Sequence, residues 1–282
     1  MKRMTKGLAA SLLLAVPLAA CGDSSTDQAE TSRWDEIKEE GTLTVGTAGT
    51  LYPASFREED SDALTGFDVE LMKEVGKRLD LEVQFKEMAF DNMLTSVQNG
   101  QVDVAANDIS VTEDRKEKFA FSTPYKYTYG TAIVRKSDLS GIESLEDLKG
   151  KKAAGEATTV FMDVARQYGA EEVIYDNASN DQYLRDVSTG RTDVILNDYY
   201  LQTLALAFFP EFDITIHPDI AYNPQEVAFL MDKENAELQE NIDRVLAEML
   251  EDGTVKELSE TFYNGADVSV EPDVDATIVE LD

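Results

Sequence analysis

This chain of 282 residues has one cysteine and one histidine. The lone cysteine, Cys21, excludes a disulfide within the chain and a cysteine-based zinc site. The lone histidine, His217, cannot build a multi-histidine metal centre. It lies in Ile214-Thr215-Ile216-His217-Pro218 and reads as a structural residue at a strand end. No metal site and no cofactor is called for by any motif. Basic residues are also scarce: 25 Lys and Arg stand against 56 Asp and Glu, a formal charge of -31. A polyanion would be repelled, so nucleic acid is excluded as a partner. The acidic residues scatter along the whole chain, which describes a solvated surface suited to a salty or alkaline medium. The content of 43% hydrophobic and 29% charged residues fits a soluble globular protein, long enough for one large domain or two lobes.

The first thirty residues bear on the compartment. Met1-Lys2-Arg3-Met4-Thr5-Lys6 is basic, and an apolar run follows over residues 7–20. A basic start and a short apolar core predict a secretory signal peptide, too short for a permanent bilayer span. Leu18-Ala19-Ala20-Cys21 follows at once and resembles a bacterial lipobox. Cleavage is expected after residue 20, with lipid on Cys21 anchoring the chain to the membrane. Residues 21–33 are polar and read as a flexible tether.

The remainder alternates strand and helix periods. Strands are predicted over 42–47, 81–85 and 102–106, with helices over 66–79 and 91–99 between them. After Gly130 the cycle restarts: strands over 131–135, 153–155, 172–175 and 193–196, and helices over 159–168 and 181–189. A late strand over 228–231 precedes a long helix over 236–251. The pattern predicts an α/β fold of two similar lobes, each with a mostly parallel sheet. Ligands of such sheets sit beyond the carboxyl ends of the strands, here the loops after 46, 106, 155 and 196.

Those loops carry a family likeness over roughly residues 34–265. Its most specific stretch runs from Asp103-Val104-Ala105-Ala106-Asn107-Asp108-Ile109-Ser110-Val111-Thr112-Glu113-Asp114-Arg115 to Phe121-Ser122-Thr123-Pro124-Tyr125. Further matches are Leu64-Thr65-Gly66-Phe67-Asp68 and Gly190-Arg191-Thr192-Asp193-Val194-Ile195-Leu196-Asn197-Asp198. The sequence resembles the family 3 extracellular solute-binding proteins of polar amino acid ABC importers. Phe90-Asp91-Asn92-Met93-Leu94, Asn107 and Asp252-Gly253-Thr254 bring it nearest the cystine-binding branch. The resemblance implies a type II periplasmic-binding-protein-like fold with a ligand cleft between the lobes. Two hinge crossings are expected near 130–133 and 224–227. Lobe 1 would take residues 34–130 and 226–265, lobe 2 residues 131–225, and residues 266–282 would form a loose acidic tail.

A free amino acid presents a carboxylate and an ammonium on one carbon. Arg115 suits the carboxylate, because its planar fork can donate two parallel hydrogen bonds. The resemblance assigns it that role, with Ser110 as an added hydroxyl donor. It gives Asp108 a backbone carbonyl for the ammonium and leaves that residue's side chain open. Thr112 reads better as the cap of the helix after it. Thr159 and Val160 open a predicted helix whose start favours an anion; Thr158 departs from the family's glycine. Asp198 matches the family's ammonium-binding carboxylate on the opposite lobe from Arg115, so one ligand would close the lobes. Phe90 and Leu51 are candidate walls for the ligand side chain, with Tyr52 beside them; core packing is the other reading of each. Glu156 has two readings: a partner for a second ammonium, as in cystine or a basic amino acid, or a solvated loop carboxylate.

The expected partners are therefore an amino acid, a membrane permease and the lipid bilayer, for a chain acting as a monomer on the outer face. Two rival functions share the fold: a sensor module for a membrane receptor, and an enzyme of the cyclohexadienyl dehydratase kind. No motif marks an acid–base pair or a nucleophile, so binding without catalysis is the expectation.

Overall fold

A computed structural model describes residues 32–175 and 178–281. The signal peptide, Cys21 and most of the tether lie outside the described residues. Among the described residues no helix is long and apolar enough to cross a membrane.

The first sheet has the order Glu82–Glu87, Thr42–Thr47, Val104–Ala105, Leu230–Asp232, Phe119–Phe121. The first three strands run parallel, as the alternation predicts. Leu230–Asp232 then enters antiparallel from late in the chain. Helix Phe67–Leu79 crosses over the sheet and buries Phe67, Val69, Leu71, Met72 and Val75. Its start needs glycine: Gly66 has φ 129, and a Cβ there would lie 2.4 Å from the carbonyl oxygen of Ala54. Helix Ala236–Glu251 packs beside it, with Leu238, Ile242, Val245, Leu246 and Met249 fully buried at helical spacing. Each such side chain contributes about 1.5–3 kcal/mol by leaving water, so a charge at Val245 would break this packing.

The second lobe departs from expectation. Its parallel part consists of Lys152–Gly155 beside Glu171–Ile174, with one parallel bridge from Ala153 to Val194. Ile195–Asp198, Lys126–Arg135 and Ile214–Val227 form an antiparallel sheet instead. The cause is connectivity: Lys126–Arg135 and Ile214–Val227 are the two crossings between lobes, and they enter and leave in opposite directions. The first core contains Tyr125 and Val227, and the second contains Ala132 and Tyr222. The cores therefore change over within the paired stretch Gly130↔Tyr222 to Lys126↔Val227. Here Gly130 lies under the Tyr222 ring, where a Cβ would come within 2.4 Å of ring carbons.

His217 is structural, as expected. It is buried, with Nε2 3.0 Å from the carbonyl of Ile142 and Nδ1 accepting from Asp219 N–H. The tail is not loose. Thr277 N–H donates to the Ala221 carbonyl, and Asn223 N–H donates to the Thr277 carbonyl. The Asn223 side chain brackets Val279 with bonds of 2.6 and 3.0 Å, and Tyr127 N–H donates to the Val268 carbonyl. The edge strand has N–H and C=O groups to satisfy, and the tail supplies partners while its acid groups stay outward.

Candidate functional site

One cavity takes lining residues from both lobes, with about 110 Å³ open to the centres of water molecules. At roughly 10–15 Å³ per water, this is the scale of a small molecule such as a free amino acid. Leu51, Phe90, Asp108, Ser110, Glu156, Thr159, Val160 and Arg115 all line it. Eight of the nine expected ligand-binding residues thus come together from loops far apart in sequence.

Arg115 is the cationic side chain among the described lining residues. Helix Glu113–Lys118 carries it, capped by Thr112, whose hydroxyl accepts from Arg115 N–H at 3.2 Å. Its Nη1 donates to the Ser110 carbonyl at 2.8 Å, and its Nη2 donates to the Thr158 carbonyl of the other lobe at 3.0 Å. The guanidinium carbon stands 5.8 Å from the Phe90 ring centroid, within cation–π range. Burial pulls the guanidinium down to about 10, while the charge of Asp163 opposes that fall. Arg115 is therefore still a cation at neutral pH, and its charge is held by dipoles and a ring rather than by a carboxylate in contact. That suits it to an anionic ligand.

Ser110 donates its hydroxyl to Gln225 Oε1 at 2.6 Å, tying the cavity floor to the hinge. Thr159 caps helix Val160–Gln167 by accepting from Met162 N–H at 3.2 Å. The first turn of that helix opens on the cavity through Val160 and Phe161. The lobes meet at its rim: Asp91 Oδ1 accepts from Thr158 N–H at 3.1 Å and from its hydroxyl at 2.6 Å. Asp91 and Gln225 were missed as site residues. Asp91 follows Phe90 at a helix start, a position that reads as routine capping.

Asp198 is placed apart from the other eight. It is 1% exposed and does not line the cavity; its neighbour Asn197 does. Asp198 Oδ1 accepts from Leu201 N–H at 2.8 Å and caps helix Tyr199–Phe208. Its Oδ2 lies 2.8 Å from Lys126 Nζ. The same Nζ lies 2.7 Å from Asp108 Oδ1, and Lys126 is wholly buried. Asp108 has φ 53, which its short polar side chain tolerates, and its N–H donates to Asp68 Oδ2 at 2.6 Å. Tyr125 O–H donates to the same Asp68 oxygen at 2.9 Å. Burial pushes Asp68 up to about 6 and Asp108 up to about 7. Burial opposes the charge of Lys126, but Asp108 and Asp198 together hold it well above the ordinary lysine value. One ammonium faces three buried carboxylates, so a further proton among them near neutrality is physically reasonable.

A family model described as bacterial extracellular solute-binding proteins, family 3, matches residues 43–265. The chain is 61% identical over 266 residues to a Bacillus subtilis protein named probable ABC transporter extracellular-binding protein YckB, covering 94% of this chain and 93% of that one. The crystal structure of YckB superposes with a TM-score of 0.71 at 63% identity, over 88% of this chain and 99% of the other. The L-cystine-binding protein TcyA of Bacillus subtilis is 35% identical over 260 residues, 89% of this chain and 94% of its own. An amino acid ABC transporter substrate-binding protein of Streptococcus pneumoniae, solved with L-arginine bound, superposes with a TM-score of 0.73 at 28% identity, covering 84% and 100%.

Proposed function

The chain belongs to the bacterial extracellular solute-binding proteins, family 3, and from that premise we propose that it captures a polar amino acid, L-cystine first among candidates, for an ABC importer. The observation that carries this reading is Arg115 in the inter-lobe cavity, charged, ringed by Phe90 and carbonyl oxygens, and reached from both lobes. The ligand carboxylate docks on the guanidinium fork and on the helix start at Thr159 and Val160. Its side chain lies against Phe90 and Leu51. Glu156 faces the same cavity, where the second ammonium of cystine or a basic side chain would meet it. Names of relatives support both cystine and arginine as ligand types.

Closure supplies the signal to a permease. Thr158 bonds Asp91 and Arg115 across the lobes, so a ligand touching both sides adds to an existing latch. On this reading the protein works at the outer face of the membrane, held by lipid on Cys21 and acting as a monomer. A thermal-shift screen against all proteinogenic amino acids and L-cystine tests the ligand. Cystine or a basic amino acid should raise the melting temperature, with the shift growing as the logarithm of concentration over Kd. A panel with no shift at millimolar ligand would refute the reading. Cys21→Ala tests the anchor: the protein should leave the membrane fraction for the medium.

A further inference from the structure

An α-amino acid has to place an ammonium as well as a carboxylate, and the two carboxylates at the Asp108 corner of this cavity, Asp108 and Asp198, are already paired with one cation. Asp108 lines the cavity, yet Lys126 Nζ sits 2.7 Å from its Oδ1. Asp198 follows the lining residue Asn197, and Lys126 Nζ sits 2.8 Å from its Oδ2. Lys126 starts the hinge strand Lys126–Arg135, Asp108 belongs to the first lobe and Asp198 ends a strand of the second. All three side chains are 5% exposed or less. A ligand ammonium brought to this corner would have to displace a buried lysine from two short contacts, leaving that lysine without a counter-charge in low dielectric.

We propose that Lys126 is a specificity-determining residue: its ammonium occupies the seat between Asp108 and Asp198, so the cavity recognises its ligand as a carboxylate and a side chain and gives little weight to an α-ammonium. This rests on the reading of Arg115 as the carboxylate site. The chemical class admitted is then wider than amino acids. It includes carboxylates with the same side chain and no amine at that end, such as the mixed disulfide of L-cysteine and 3-mercaptopropionate beside L-cystine.

The test is isothermal titration of the full chain with matched pairs: L-cystine and the mixed disulfide of L-cysteine and 3-mercaptopropionate, L-methionine and 4-methylthiobutanoate, L-glutamine and 5-amino-5-oxopentanoate. For the pair that binds, the amine-free acid should bind within about tenfold of the amino acid, the range of one exposed polar contact. In Lys126→Met the preference should swing at least tenfold toward the amino acid, because Asp108 then lines the cavity without its cation, with Asp198 unpaired behind it. That variant leaves buried charge unpaired, so Lys126→Met combined with Asp108→Asn, which keeps Asp198 alone, provides a second route. A wild-type preference for the amino acid above a hundredfold, with Arg115→Ala abolishing both ligands, would overturn the role of Lys126 and leave the carboxylate site standing. Unchanged binding of both ligands to Arg115→Ala would overturn both. An unchanged ratio in both folded Lys126 variants would also overturn the proposal.

Discussion

Arg115 and Lys126 belong to neighbouring regions and are balanced in opposite ways. Arg115 stands in the cavity against two carbonyl oxygens and a ring, with no carboxylate in contact among the described residues. Lys126 is wholly buried and held by two carboxylates, with a third joined to Asp108 through its backbone. A charge satisfied only by dipoles keeps an attraction for an incoming anion. A charge with its own counter-ions is part of the frame. Burial alone does not separate a binding charge from a structural one; the identity of the partners does.

The comparison breaks most sharply by substitution at Lys126. Lys126→Met should cost about 3–5 kcal/mol in urea unfolding, the usual result of stripping one partner from a buried ion pair. Arg115→Ala should change stability by about 1 kcal/mol or less, because its losses are hydrogen bonds at a solvent-reaching cavity. Equal losses in the two variants would erase the distinction.

Proton linkage sharpens it next. Asp68 and Asp108 sit at about 6 and about 7 in the folded protein, raised by burial, against about 4 in an unfolded chain. Between these values the folded state holds protons that the unfolded state has released. Their contribution is fully present below pH 4 and is lost as pH rises through 6 to 7. Asp198, Lys126, Tyr125 and Tyr263 are the other ionisable groups around the pair. Melting temperature against pH should therefore carry a falling component over this window in the wild type. Asp108→Asn should flatten it, and an equally steep profile in that variant would count against the cluster.

Smaller effects are expected at the rim and the hinge. Asp91→Ala removes two inter-lobe hydrogen bonds and should weaken ligand binding about fivefold, near 1 kcal/mol. Small-angle scattering should show a larger radius of gyration. Gly130→Ala pushes a methyl group into the Tyr222 ring and should cost about 1–3 kcal/mol.

Much of this was legible in the sequence. Helix Ala236–Glu251 and strand Thr42–Thr47 were readable to the residue, because each has unbroken periodicity and a clear end. Arg115, Asp108 and Ser110 were singled out through the stretch from Asp103 to Arg115, and Leu51, Phe90, Glu156, Thr159 and Val160 through other loops of the family likeness. Helix Tyr199–Phe208 went unread: Tyr-Tyr-Leu-Gln-Thr-Leu-Ala-Leu-Ala-Phe is apolar on most sides, so it has no polar face to set a period. The antiparallel second sheet was hidden because pairing depends on where the chain returns, not on local pattern. Lys126 was passed over as one more lysine. Its signal was there to be read, since it is the sole charge between Tyr125 and Ala132 in a strand-forming stretch. Asp198 shows the same limit from the other side: its position at a strand end suggested a ligand contact, and its pairing with a lysine from another element could not be read locally.

The central claim is that the cavity binds a carboxylate through Arg115. Titration calorimetry with the strongest ligand of the thermal-shift panel, on wild type, Arg115→Lys and Arg115→Ala, tests it most directly. The account predicts a graded loss, intermediate for the lysine that keeps charge without the fork and at least about a hundredfold for alanine. Wild-type affinity in the alanine variant, with its fold intact, would contradict it.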